Sequence, residues 1–139
     1  MIDTMRHAEC YLFANWSAPE NICAFTTTRN GGVSEEGYES LNLSLSSGDK
    51  VERVMKNRQK VIDDTGWGSE PLWLRQVHGT HVIDAEVCDA VSEADAVVSR
   101  QVGLPAMVMT ADCLPVLFCN DSGTCVAAAH AGWQGLAAG

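Results

Sequence analysis

The sequence predicts a mixed fold of helix and strand, either an α+β or an α/β sandwich, from three observations. Its 139 residues suit one domain, and 46% hydrophobic with 19% charged residues is typical of a globular protein. One segment repeats apolar residues with helical spacing, whereas several shorter runs are rich in β-formers and bounded by turn residues. Predicted strands outnumber predicted helices, and no repeat or linker divides the chain. We therefore expect a single domain over residues 1–139.

The first predicted elements are a strand and a helix. Residues 22–28 are rich in β-formers and run into a loop at residues 29–32, whose paired glycines supply positive φ. From Asp49 to Ile62, apolar residues recur three and four positions apart with charged residues between them, and Gly66 follows the last turn. The sequence therefore predicts an amphipathic helix after this loop.

Five further strands are predicted after the helix, at residues 72–78, 95–99, 104–110, 114–119 and 124–130. The last three are nearly continuous apolar runs, as is typical of strands covered on both faces. Turn residues at 120–123 predict a hairpin between the last two strands. Residues 131–139 look like the opening of a helix but stop short of about 12 residues, so we expect the sequence to end within an element.

Charge and hydropathy exclude two classes of partner. Nine Lys and Arg against eighteen Asp and Glu give a net charge of −9, which repels nucleic-acid phosphates and anionic lipid surfaces. No run approaches the ~20 apolar residues of a bilayer span, and the first residues lack the apolar region of a signal peptide. We expect a cytoplasmic protein that binds neither nucleic acid nor membrane, with its six cysteines reduced.

Three side chains are candidate metal ligands. His78 and His130 each lie at the predicted C-terminal end of an apolar strand, and Cys113 lies in a polar break between two strands. Two imidazoles and a thiolate suit a borderline-soft ion such as zinc and leave a fourth position for water or substrate. The alternative is that both histidines are strand-end residues with satisfied hydrogen bonds and that Cys113 is a buried thiol. Spacing alone leaves both interpretations open.

Two charged residues are further candidates. Arg29 precedes the glycine turn, where its guanidinium and the backbone N–H groups could bind a phosphate; the alternative is an exposed arginine beside a hairpin turn. Asp112 precedes Cys113 and could transfer protons, although an aspartate in a turn commonly hydrogen-bonds its own backbone. Neither residue identifies a function by itself.

Seven short motifs occur in order between residues 26 and 133: TTTRNGGVS, LNL, NR, QVHGT, ADA, TADCLPV and AHAGW. In this order they resemble the YfiH family, also called the laccase-domain or multicopper polyphenol oxidase family. Several independent motifs in one order are harder to obtain by chance than one short pattern. The resemblance covers nearly the whole chain from residue 22 onward.

The resemblance implies a fold, a metal site and an activity. The implied fold is α+β, a layered α/β/β/α sandwich with mixed sheets, truncated at its C-terminus because members usually continue well beyond residue 139. The family's metal triad falls on His78, Cys113 and His130, whereas Gln134 stands where many members have arginine. The implied activity is zinc-dependent phosphorolysis of adenosine, inosine, guanosine or methylthioadenosine, with deamination of adenosine. The family's earlier naming implies the alternative, a laccase-like polyphenol oxidase that uses copper.

For the purine nucleoside activity, each polar candidate receives an expected role. Water on zinc is acidified toward pKa ~7 and can attack purine C6. We expect Arg29 to hold phosphate, Asp112 to transfer a proton, and Gln76 and Asn42 to orient purine or ribose. Phenol oxidation usually needs several coppers held by many imidazoles, and the chain has four histidines. A third possibility is a non-catalytic module that a metal stabilises.

Overall fold

The computed structural model describes residues 9–88 and 92–139. Its elements run in chain order β1 (Tyr11–Phe13), β2 (Phe25–Thr27), α1 (Val51–Thr65), β3 (Val82–Asp84), β4 (Ala96–Ser99), β5 (Leu114–Cys119), β6 (Val126–Ala131) and α2 (Trp133–Ala138). Two sheets with few helices confirm the predicted α+β class. The chain divides into two compact units, the described part of Met1–Trp16 with Cys23–Trp67, and Ser17–Ile22 with Gly68–Gly139. The single domain expected over residues 1–139 stays a prediction.

The first unit combines a two-stranded ribbon with helix α1. β1 pairs antiparallel with β2, and β2 lies within the predicted first strand. The helix buries Val54 and Val61 almost completely, as its amphipathic pattern predicts. It ends at Gly66, where φ is 64° and the N–H donates to the Ile62 carbonyl, a conformation that glycine adopts without strain. Across the described ranges, no helix has both the length and the apolar character to cross a membrane.

A buried amide on α1 fixes the loop that precedes the helix. The Oδ1 atom of Asn57 accepts the Val33 N–H at 2.8 Å, while Nδ2 donates to the Ser34 hydroxyl and to the Asn42 carbonyl, both at 2.9 Å. Only 1% of Asn57 is exposed, so these loop groups satisfy an amide that would otherwise be buried without partners. Asn57 therefore holds Val33, Ser34 and Asn42 of this loop in place from the helix.

The second unit is built on a four-stranded mixed sheet in the order β3-β4-β6-β5. β3 pairs parallel with β4, whereas β6 pairs antiparallel with both of its neighbours. One face of the sheet contributes Ile83, Val97 and Ala128 to the hydrophobic core. The predicted strands at residues 95–99, 114–119 and 124–130 are confirmed, as is the hairpin that joins the last two. In that hairpin Gly123 has φ 64°.

Two predicted strands, at residues 72–78 and 104–110, are wrong. Both segments are irregular apart from one isolated bridge. Apolar side chains from both, Leu74 among them, pack in or against the core, which explains their strand-like composition. Their connection is made by a side chain: the Gln76 amide donates to the Met109 carbonyl at 2.6 Å and accepts the Met109 N–H at 2.7 Å. One side-chain amide thus takes the place of a backbone ladder between the segments.

The expectation that the apolar strands are covered on both faces is also wrong for β5. This strand lies at the edge of the sheet, and Leu114 and Phe118 on its outer face are 62% and 52% exposed. Composition could not distinguish an apolar edge strand from a buried one, because both read as continuous apolar runs. The short strands β1 and β3 were not predicted, since three residues carry too little pattern to recognise.

Candidate metal centre

The three predicted metal ligands converge at one end of the mixed sheet. The ligand atoms of His78, Cys113 and His130 all lie within 4.8 Å of one another. His130 lies near the end of β6, and Cys113 immediately precedes β5. Because β5 and β6 are antiparallel, with Leu114 opposite Ala131, the hairpin brings the cysteine beside the histidine. The loop before β3 supplies His78.

The donor set fits a tetrahedral metal ion with three protein ligands. Bonds of about 2.3 Å to sulfur and about 2.0 Å to nitrogen put ligand atoms roughly 3.5 Å apart in such a site. The observed separations, up to 4.8 Å, would have to shorten by at most about 1.3 Å to reach that geometry. His78 is exposed and Cys113 is half-buried, so the cluster is open to small molecules. One thiolate and two imidazoles suit zinc, and three protein ligands are typical of catalytic sites.

Glycine at position 132 leaves room for the cluster. A Cβ atom there would lie 2.9 Å from Cδ2 of His78, and 3.5 Å from both Sγ of Cys113 and Cε1 of His130. It would therefore stand in contact with all three ligand side chains. Gly132 follows β6 and precedes α2, where the chain turns past the site. The absence of a side chain at this residue lets the three ligands approach one another.

His78 has an unusual backbone conformation that a buried carboxylate stabilises. Its φ is +61°, a left-handed value that costs a non-glycine residue about 1–2 kcal/mol. The N–H groups of Val77, His78 and Gly79 donate to the side chain of Asp95 at 3.2, 2.9 and 2.8 Å. Consecutive N–H groups that surround an anion form the arrangement known as a nest. Asp95 thus supplies the anion for the turn that carries His78.

The same carboxylate contacts the second histidine. Nδ1 of His130 lies 2.8 Å from Oδ1 of Asp95, and both side chains are at least 96% buried. Burial raises the pKa of Asp95, but the hydrogen bonds from His130 and from Gly79, Val77 and His78 together outweigh it, and the net pKa is lowered. An ionised carboxylate can only accept hydrogen bonds, so this contact favours the His130 tautomer with its proton on Nδ1 and Nε2 directed away from Asp95.

The two predicted substrate-binding residues are engaged in internal hydrogen bonds. Gln76 is half-buried, in the second unit, and its amide pairs with the backbone of Met109 as described above. Asn42 belongs to the first unit, where Nδ2 donates to the Ser47 hydroxyl at 2.7 Å and to Asp49 at 3.2 Å. These bonds fix the orientation of both amides, and a substrate role for either residue stays a prediction.

The predicted phosphate ligand, Arg29, is an exposed residue of the first unit. Its Nε donates to the Glu39 carbonyl at 2.8 Å, which anchors the base of the guanidinium. Gly31 has the expected positive φ of 86°, whereas Gly32 is needed for close packing, since a Cβ there would lie 2.1 Å from the Ser40 carbonyl oxygen. The Gly32 N–H donates to the Ser40 hydroxyl, so the guanidinium rather than that N–H is available to an anion.

The remaining sequence-predicted residue of the site is Asp112, whereas two residues beside the cluster were not predicted. Asp112 is exposed, and its Oδ1 lies 3.9 Å from Sγ of Cys113, so the predicted proton donor is adjacent to the cluster. The sequence predicts no role for Asp95 or Gly132, although both lie inside the motifs that carry the family resemblance. The position of Asp95 directly before an apolar strand was the only local signal that the sequence offered for it. Its partner His130 lies 35 residues away, and no local pattern could identify it.

An open pocket of about 180 Å³ adjoins the cluster on the side of α2. Asp95 and His130 contribute to its wall, together with Gly79, Gly135 and Leu136. Pockets for drug-sized molecules usually measure about 300–1,000 Å³. This pocket by itself therefore does not account for a nucleoside site.

Comparison with known proteins finds relatives that are about half identical to this chain over most of its length. Purine nucleoside phosphorylase YfiH of Escherichia coli (strain K12) is 49% identical over 125 residues, which cover 89% of this chain and 51% of that protein. A purine nucleoside phosphorylase of Pseudomonas aeruginosa is 47% identical over 129 residues, covering 93% and 52%. The crystal structure of a Neisseria meningitidis protein of the DUF152 family has a TM-score of 0.85 at 48% identity, covering 91% of this chain and 52% of that one.

The chain spans about half the length of these relatives. Its residues 23–139 match the family model described as multi-copper polyphenol oxidoreductase laccase. This match covers most of the chain, including all three candidate metal ligands. The chain therefore belongs to the multi-copper polyphenol oxidoreductase laccase family, the YfiH family that its motifs resemble.

Proposed function

We propose that this protein is a zinc-dependent purine nucleoside enzyme, which carries out phosphorolysis of adenosine, inosine, guanosine or methylthioadenosine and deamination of adenosine. The observation that carries the proposal is the convergence of His78, Cys113 and His130 within 4.8 Å, with a donor set that suits zinc. The names of the relatives supply the substrate class, since several are purine nucleoside phosphorylases.

In the proposed mechanism, the chain binds the metal and moves protons beside it. Zinc held by the three ligands would supply Lewis acidity, which lowers the pKa of water to about 7. In phosphorolysis, a phosphate oxygen bonds to the anomeric carbon as the bond from that carbon to the base breaks, and the departing purine takes up a proton. Asp112 is adjacent to Cys113 and exposed, so it can receive a proton from solvent and donate it to the base.

The other polar candidates are proposed to bind the two substrates. Arg29 presents an exposed guanidinium that is anchored through Nε and suits phosphate. We assign Gln76 and Asn42 to purine or ribose, with their amides held in position by internal hydrogen bonds. Loss of the Arg29 guanidinium is therefore expected to raise the KM for phosphate more than the KM for nucleoside.

The decisive experiment measures metal content and nucleoside turnover on the same preparation. Purified wild-type protein is expected to hold about one zinc ion per chain and to release adenine from adenosine in the presence of phosphate. Cys113→Ser and His130→Ala are each expected to lose the zinc and the turnover, because a hydroxyl or a methyl group is a far poorer ligand. His81→Ala is the matched control, since His81 is an exposed histidine outside the cluster.

Two results would contradict the proposal. A His130→Ala protein with full zinc content and full phosphorolysis would remove the metal-site assignment. A wild-type protein that binds zinc but converts no purine nucleoside would favour the non-catalytic, metal-stabilised module instead.

A second candidate, a copper-dependent polyphenol oxidase, is supported by the description of the family model. The His₂Cys set is also one that copper accepts. Oxidation by several coppers needs more ligands than the one cluster found in the described residues. Reconstitution of one metal-free preparation with zinc or with copper separates the two candidates: the zinc form is expected to release adenine, and the copper form is expected not to oxidise phenols.

A further inference from the structure

We propose that Asp95 is the positioning residue of the metal centre, because its single carboxylate orients the His130 ring and holds the turn that carries His78. This inference rests on the proposed metal site but not on the identity of the reaction. The side chain is only 3% exposed and lies behind the cluster rather than within it. Asp95 would therefore act on the metal through the two histidines and not as a ligand.

The four hydrogen bonds to the Asp95 carboxylate are divided between its two side-chain oxygens. Oδ1 accepts from Nδ1 of His130 at 2.8 Å and from the N–H of His78 at 2.9 Å. Oδ2 accepts from the N–H groups of Val77 and Gly79 at 3.2 and 2.8 Å. One oxygen atom therefore links the two imidazole-bearing residues directly, although they come from different parts of the unit.

The contact with His130 determines which ring nitrogen can bind the metal. With its proton on Nδ1 and directed at Asp95, the imidazole presents Nε2 on its opposite side. Partners of this kind fix the tautomer and orientation of metal-ligating histidines in other proteins. The backbone adds a second constraint, because the His130 N–H donates to the Asp95 carbonyl at 2.7 Å. Both the ring and the main chain of His130 are thus set by one residue.

The contact with the turn determines where His78 lies. Its left-handed backbone directs three consecutive N–H groups to one side, and the carboxylate is the acceptor for all three. Without that acceptor, these N–H groups would have no anion to surround, and the strained φ of His78 would lose its support. The His78 ring would then leave its position 4.8 Å from the His130 ring.

The first test needs no variant and no metal. Long-range ¹H–¹⁵N spectra of metal-free wild-type protein distinguish the two neutral histidine tautomers by the shifts of their ring nitrogens. We expect His130 to carry its proton on Nδ1. A neutral ring with its proton on Nε2 and none on Nδ1 would overturn the proposal, even if the three-residue metal cluster itself is correct.

The second test is Asp95→Asn, which keeps the size of the side chain but replaces one acceptor oxygen by an NH₂ donor. Each carboxylate oxygen of Asp95 accepts two N–H groups, so in either orientation of the asparagine amide its NH₂ group points at two other donors. We expect zinc affinity, measured by competition with a chelator, to fall by about 10- to 100-fold. The absorption bands of the cobalt(II)-substituted protein are expected to shift as well, because the two imidazoles no longer hold the same geometry.

Ser99→Ala is the matched control, because it distinguishes positioning from a general loss of stability. Ser99 is 1% exposed and lies on β4, the strand that begins directly after Asp95. Its hydroxyl donates to the Leu104 carbonyl, which is not part of the candidate metal site. This variant is expected to lose stability but to keep zinc affinity and the cobalt spectrum. Equal zinc loss in Ser99→Ala and Asp95→Asn would overturn the proposal.

The outcomes also separate this inference from the proposed function. If Cys113→Ser loses zinc while Asp95→Asn keeps wild-type affinity and spectrum, the positioning role is wrong and the metal site stands. If wild-type protein binds no zinc, the proposed function fails. In that case, the tautomer of His130 in the metal-free protein still decides whether Asp95 orients the ring.

Discussion

At residue 132, the metal centre depends on the absence of a side chain. An added Cβ would approach His78 to 2.9 Å, closer than such atoms pack in proteins, and it would meet Cys113 and His130 at 3.5 Å. The ligands are thus positioned by a glycine on one side and by the Asp95 carboxylate on the other. Neither residue belongs to the candidate ligand set, yet each contacts side chains of that set.

Gly132→Ala is expected to weaken zinc binding by roughly tenfold or more, which corresponds to about 1.4 kcal/mol. The physical reason is that the methyl group displaces the His78 ring from the other two ligands. Calorimetric titration of the metal-free protein with zinc measures the change. Gly68→Ala is the control, because its Cβ would meet only ordinary contacts, the nearest at 3.7 Å. Wild-type affinity in Gly132→Ala would show that the cluster tolerates the methyl group.

At the residue scale, the three side chains that converge could be predicted, whereas Asp95 and Gly132 beside them could not. Imidazole and thiolate are recognisable metal donors, and the motifs QVHGT, TADCLPV and AHAGW assign them to His78, Cys113 and His130. Asp95 has no such distinguishing chemistry, because aspartate serves equally well as a turn residue or a surface charge. Its role follows from contacts across 17 and 35 residues of sequence.

At the scale of elements, α1 is tied to the ribbon by a buried phenol. The Tyr11 hydroxyl on β1 donates to Oδ2 of Asp64 on α1 at 2.8 Å, and the Tyr11 residue is 2% exposed. Burial, together with the hydrogen bond and the charge of Asp64, raises the pKa of Tyr11 well above its ordinary value of 10.0. The neutral phenol is therefore part of the folded state of the first unit.

Because the pKa of Tyr11 is raised on folding, its contribution to stability is complete below pH 10 and is lost as the pH rises above that value. We expect the free energy of unfolding to fall above pH 10 by up to about 1.4 kcal/mol per pH unit. Tyr11→Phe is expected to be about 1 kcal/mol less stable at neutral pH and to lack this part of the alkaline fall. Urea unfolding followed by circular dichroism from pH 8 to 11 measures both.

Tyr38→Phe is the control for the alkaline experiment, since it removes the other tyrosine of the chain. Tyr38 donates to the Ser47 carbonyl at 3.2 Å and has no contact with Asp64. This variant is expected to retain the wild-type dependence of stability on pH. If Tyr11→Phe shows that same dependence, the phenol does not link β1 to α1 as described.

At the scale of the whole molecule, two features act in opposite directions. One face of the mixed sheet exposes apolar residues, and the chain as a whole is strongly acidic. Leu114 and Phe118 on β5, and Val82 on β3, are each more than half exposed. β5 also lies at the sheet edge, where unpaired backbone groups can pair with another chain. The net charge of −9 opposes association at low ionic strength. Salt screens this repulsion and leaves the apolar attraction in place.

We therefore expect light scattering from concentrated protein to increase as the sodium chloride concentration is raised. Phe118→Glu is expected to reduce that increase, because it removes apolar surface from the edge strand and adds a charge. Val102→Glu is the matched control: it adds the same charge at a valine that is 100% exposed and lies outside the sheet. An equal effect of both substitutions would attribute the change to net charge and not to the sheet face.

The sequence by itself determined the α+β class, helix α1, strands β4 to β6 with their hairpin, and the choice of His78, Cys113 and His130 as candidate ligands, because each depends on local periodicity or on the chemistry of a residue type. Only the tertiary structure decided that residues 72–78 and 104–110 are connected through the Gln76 amide, and that Asp95 and Gly132 lie against the three candidate metal ligands. These features depend on which distant groups meet. A hydrogen bond between residues 33 positions apart leaves no periodic trace in the sequence that contains it.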